Sequence, residues 1–161
     1  MKRKATLASM TLLVVVATTL LAFGHLTQFC TPGFFKTHPQ FITGGSCISL
    51  DQNTPVGTLF HTVDSCVANL TMLQAISVPT NFCGEPNGLP GGEIILLRQT
   101  IARVANAANS NPPACDVMHT TIKVINDVVD QAIAMDDRSL LITAADKVGQ
   151  QNNDSVCTIG Q

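Results

Sequence analysis

Six cysteines constrain this chain more than any other feature. Cys30, Cys47, Cys66, Cys83, Cys115 and Cys157 are an even set, none in a Cys-x-x-Cys pair, and all follow a long apolar N-terminal stretch. After an export signal, such a set favours three disulfides over a metal cluster. Six cysteines allow fifteen pairings, and spacing alone does not choose among them. Each bridge stabilises a fold by roughly 2–4 kcal/mol, more when it closes a long loop. That support matters here because the chain has neither Trp nor Tyr to fill a core.

The segment before the cysteines has the parts of a secretory signal. Lys2, Arg3 and Lys4 form the positive start, Met10 to Phe23 is almost entirely apolar, and Ala22-Phe23-Gly24 supplies small residues at a cleavage site. The apolar run, about 14 residues, is short for a bilayer span of roughly 20. The expectation is a signal peptide over 1–24, with retention as an anchor the alternative, and a single secreted helical domain over 25–161. Beyond Gly24 only six strong bases face eleven acids, a formal net charge of −5. No basic patch exists, which disfavours a nucleic-acid partner and an anionic membrane surface.

The periodicity is helical. Val63, Cys66, Val67, Leu70, Leu73 and Ile76 predict a helix from about Asp64 to Ser77, ended by Pro79. Glu93 to Asn109 places Ile94, Leu97, Ile101, Val104 and Ala108 on one stripe, with Arg98 and Arg103 off it and Glu93 in the first turn. Thr120 or Thr121 can cap a helix carrying Ile122, Ile125, Val129 and Ile133. After a short turn at Met135-Asp136-Asp137-Arg138, a last helix runs to about Gln151. Residues 39–55 and 81–92 read as loops. The fold class expected is mostly α: a small disulfide-stapled bundle of about four helices, with long loops and little or no strand.

The densest cluster of unusual residues is Cys30-Thr31-Pro32-Gly33-Phe34-Phe35-Lys36-Thr37-His38-Pro39. Its prolines and Gly33 read as breaking helix, and Pro39 restricts His38. This stretch resembles the Cys-Thr…Gly-(Tyr/Phe)-(Trp/Phe)-Lys-x-His-Pro signature of a family of exported bacterial proteins of undetermined function. Leu96-Leu97-Arg98-Gln99 through Ala107-Ala108 is similar to that family's Leu-Leu-Arg-Gln…Leu-Asn-Ala-Ala helix, and Asp136-Asp137-Arg138, Ala144-Ala145-Asp146 and Asn152-Asn153…Cys157 fall in the same order as its C-terminal half. Phe35 stands where the family usually has Trp, and residues 43–92 do not match. The resemblance implies an exported cell-surface or secreted protein and supplies no reaction. Cys30 and Cys157 both lie in resembling segments and flank the helices, so a Cys30–Cys157 bridge is expected. Gly33, Phe34, Phe35 and Pro39 are read as a structural clamp in which both rings plug the bundle.

Lys36 and His38 are the weak candidates for catalysis, His38 as an acid–base group with a carboxylate from elsewhere in the chain. The plainer reading has both bonding loop carbonyls. Of the four histidines (His25, His38, His61 and His119), none lies four residues from another, so no metal site and no cofactor is assigned. A copper-binding His25 at a cleaved N-terminus is the weakest possibility considered. Asp127, Asp130, Asp136 and Asp137 lack calcium-loop spacing, and no Gly-x-Ser-x-Gly elbow occurs. Two classes remain: a secreted or cell-surface structural or interaction module, partnered by an extracellular protein or cell-envelope component, and a small secreted enzyme using His38.

Overall fold

The structure, a computed structural model, describes residues 29–153 and 157–159. The expected signal segment lies outside the described residues. Six α-helices order the described residues: α1 (Pro32–Thr37), α2 (Ser65–Asn69), α3 (Met72–Ser77), α4 (Leu89–Ala108), α5 (Cys115–Met135) and α6 (Arg138–Asn152). Two 3₁₀ turns, Pro39–Phe41 and Val56–Thr58, sit between α1 and α2. The described residues contain no strand, only the isolated bridges Thr43–Asp51 and Pro55–Thr71. The mostly α, disulfide-stapled bundle expected from periodicity is therefore the observed architecture, with two more helices than expected.

Both extra helices come from local chemistry that apolar spacing hides. Pro32 stands in the first turn of α1, where a missing N–H costs nothing and a fixed φ suits the helix. The reading of Cys30–Pro39 as non-helical is thus corrected. The single helix expected over 64–77 is broken at Leu70, whose ψ of 138° is extended. Thr71 then starts α3 with a capping box: its hydroxyl accepts the Gln74 N–H, and Gln74 accepts the Thr71 N–H. Asp64 caps α2 by accepting the Val67 N–H at 2.9 Å.

Helix α4 is the axis of the molecule. It begins four residues before the expected start, with Pro90 in its first turn. Glu93 consequently occupies the second turn. The predicted single stripe is also too narrow, because Leu96, Thr100, Ala102, Arg103, Ala105 and Ala107 are buried as well. A helix enclosed on all sides must be apolar or small all round, and the alanines let neighbours close in. Its most extensive partner is α6, followed by α5. At this seam Gly92 and Gly149 keep the backbones near: a Cβ on Gly92 would lie 2.9 Å from Arg138 Cγ, and one on Gly149 3.3 Å from Gln99 Cδ.

Helix α5 starts at Cys115 rather than at Thr120 or Thr121, and ends in a left-handed Asp136 (φ 49°). Asp137 caps α6 through the Ser139 N–H. The three bridges are Cys30–Cys157, Cys47–Cys115 and Cys66–Cys83, with Cα separations of 4.6, 5.2 and 5.6 Å. They pin the chain ends, the 42–55 loop and the 79–88 loop to the helices. Three disulfides fit an oxidising compartment, and no described helix is long and apolar enough to cross a membrane.

Candidate functional site

The signature stretch is built as a clamp around α1. Phe35 is fully buried in the core, while Phe34 is only half-buried. Of the two rings expected to plug the bundle, Phe35 lies inside the core and Phe34 packs against its edge. Phe34 is also a platform: it meets Phe35 edge-on at 5.3 Å, stacks on Phe41 at 5.9 Å and carries the His38 ring at 4.4 Å with planes 10° apart. Gly33 and Lys36 are exposed, and Pro39 starts the following 3₁₀ turn.

The His38 ring is engaged locally. Its Nδ1 lies 3.1 Å from the Phe34 carbonyl oxygen and 2.9 Å from Thr37 Oγ1, and the residue is exposed. Among the described residues, no carboxylate comes within ion-pair reach of it. Lys36 and His38 are both exposed, and neither forms an ion pair with an acid among the described residues.

Behind the clamp, Asn106 grips the Cys30 peptide from both sides. Its Oδ1 accepts the Cys30 N–H at 2.8 Å, and its Nδ2 donates to the Cys30 carbonyl at 2.9 Å. Asn152 approaches Asn106 and donates to the Gln99 carbonyl at 2.8 Å. Burying a polar amide is tolerated only with such partners. The Cys30–Cys157 bridge is thus seated on a polar rung running from α4 to α6.

Two further constellations escaped sequence reasoning. The first is His61 with Asp130: the ring Nδ1 sits 2.9 Å from both carboxylate oxygens, and the His61 N–H donates to Asn126 Oδ1 at 2.9 Å. Asp130 thereby fixes the ring through Nδ1, as an orienting carboxylate does. Both side chains are 58% exposed, so water screens the pair. The partners lie 69 residues apart, and no local pattern announces them. The second is Glu93, which is fully buried. Its Oε2 accepts the Val63 N–H at 3.0 Å while its Oε1 has no partner. Burial, reinforced by the nearby Asp64 charge, outweighs that hydrogen bond and pushes the carboxyl up to about 8. A lone acid beside the run Ile94-Ile95-Leu96-Leu97 was the available signal.

Asp64 also approaches the sulfurs of Cys66 and Cys83, with all three potential ligand atoms within 4.8 Å of one another. Those sulfurs are bonded to each other, and a metal requires thiolates. Comparison with protein-family models, with curated proteins and with solved structures finds no match to this chain.

Proposed function

We propose that this chain is an exported, secreted or cell-surface structural or interaction module without catalytic activity, in the manner of the bacterial group its opening signature resembles. One observation carries the reading: the histidine of that signature has structural employment. His38 lies flat on Phe34 and bonds the Phe34 carbonyl and Thr37 hydroxyl, and Lys36 is exposed, outside the ion pairs of the described residues. What the scaffold presents instead is two long loops, each stapled at one cysteine to a helix. The three bridges and the apolar N-terminal stretch support export.

Expression with its own N-terminus in a bacterial host, followed by N-terminal sequencing of the exported product, tests the first part. Cleavage after Gly24 is the expected outcome. The second part is tested by sedimenting labelled protein with washed cell envelopes. Saturable retention that survives Lys36→Ala and His38→Ala but is lost when Glu85–Asn87 is replaced by glycines supports loop-based recognition. Absence of saturable retention overturns it.

The enzyme reading keeps one specific observation in its favour, at His61 rather than His38. The Asp130-oriented imidazole has the arrangement of a general base. Its test is whether any hydrolytic turnover of generic ester or peptide substrates disappears in His61→Gln and persists in His38→Gln.

A further inference from the structure

The segment from Leu59 to Val63 leads from the second 3₁₀ turn to α2; the Leu59 and Phe60 N–H groups donate to the Val56 carbonyl at 3.1 and 3.0 Å, and among the described residues His61–Val63 make no backbone–backbone hydrogen bond. Side chains hold it at both margins. On the α5 side Asn126 donates to the Leu59 carbonyl at 3.1 Å and accepts the His61 N–H, while Asp130 takes the His61 ring. On the α4 side the Val63 N–H donates to Glu93. Between these anchors Phe60 is driven into the core, with 2% of its surface left exposed.

The α4 anchor is anomalous. Glu93 is completely buried, one oxygen lacks a partner, and no described base neutralises it. The groups around it have other engagements. Asp64 at the start of α2 is a like charge and is occupied with capping. Arg138 of α6 passes its aliphatic stem over Gly92 and directs its guanidinium to the Pro86 carbonyl. Arg98 on α4 itself donates to the Val78 carbonyl. His61 and Asp130 pair with each other, α3 carries no charged residue, and Lys36 of α1 is exposed. A carboxylate so placed has only water to turn to, and water reaches it when the segment lifts.

We propose that Leu59–Val63 is a pH-released strap: closed while Glu93 holds its proton, and opened increasingly as that proton is lost, which uncovers Phe60 and the Glu93 carboxyl. The sign follows from proton linkage. In the opened segment Glu93 titrates at its ordinary value of 4.5, and in the closed one at about 8. Opening therefore releases a proton between those values, so the open population rises by up to about tenfold per pH unit across that window and levels off above it.

Amide hydrogen exchange on the intact, oxidised protein, corrected for intrinsic rates and followed from pH 5 to 9, tests this. The comparison is between wild type and Glu93→Gln, with His61 and Asp130 present in both. Glu93→Met is a second variant should the amide fold poorly. In the wild type, the Val63 amide is expected to be at least about a hundredfold less protected than Ile101 in the centre of α4. Its exchange should ignore low urea, as local opening does. Relative to the variant, Val63 protection should fall by about three orders of magnitude up to pH 8 and then level off. Equal protection of Val63 and Ile101 would show that only global unfolding exposes the segment, and overturns the proposal. So does a pH profile shared by wild type and variant.

Discussion

Glu93 and Asn106 show two opposite treatments of a buried polar side chain on one helix. Asn106 is matched, each end of its amide meeting the Cys30 peptide. Truncating it leaves a buried N–H and C=O unsatisfied, so Asn106→Ala should lower stability by about 2–4 kcal/mol in urea denaturation. Glu93 is mismatched, and its cost depends on pH. Above 4.5 the unfolded chain ionises while the native one stays protonated up to about 8. The native state binds the extra proton in that window, so stability falls as pH rises through it. Wild type should lose up to on the order of 5 kcal/mol relative to Glu93→Gln between pH 4.5 and 8, read from denaturation midpoints. Equal pH profiles for the two proteins would contradict this. At the same scale, Phe35→Ala removes a fully buried ring and should cost about 3–5 kcal/mol.

At the scale of elements, caps decide where helices stop and start. Thr71→Ala removes one half of the capping box that separates α3 from α2, and should cost about 1 kcal/mol in thermal unfolding. The same boundary explains what the sequence made legible. The apolar steps from Val63 to Ile76 are helical as their spacing predicts, but period 3.6 continues across a kink, and only the Thr71–Gln74 reciprocity marks the break. Pro32 reads as a breaker and Pro90 as part of a loop, yet each opens a helix because the first turn has no use for its N–H. The burial of α4 on every side was half legible, since its alanines announced close approach while Arg103 masked it. The candidate site fared worse. His61–Asp130 and Val63–Glu93 join residues 69 and 30 positions apart, and such pairings follow from tertiary packing that no local spacing encodes.

For the whole molecule, the disulfides set the scale of stability. Chain-entropy arguments assign about 5, 4 and 3 kcal/mol to bridges spanning 127, 68 and 17 residues. Paired Cys→Ala variants should therefore lose stability in the order Cys30/Cys157, Cys47/Cys115, Cys66/Cys83. Mass spectrometry of the unreduced protein should find no reactive thiol, consistent with the pairing of all six cysteines. The bridges also explain how a chain with few aromatics sustains long loops. Each loop is fastened at a cysteine to a helix that α4 already organises.

The seat of Cys30 against Asn106 and Cys157 has a topological consequence. With their Cα atoms 4.6 Å apart, the two ends of the helical bundle meet at one point, and the polypeptide between them is in effect a closed ring. A ring has no privileged break. A short peptide linker joining residue 159 to residue 29, with new termini opened in the exposed turn at Glu85–Asn87, should yield a circular permutant with the same helices. Cys30 and Cys157, far apart in sequence, thus share one pole of the molecule.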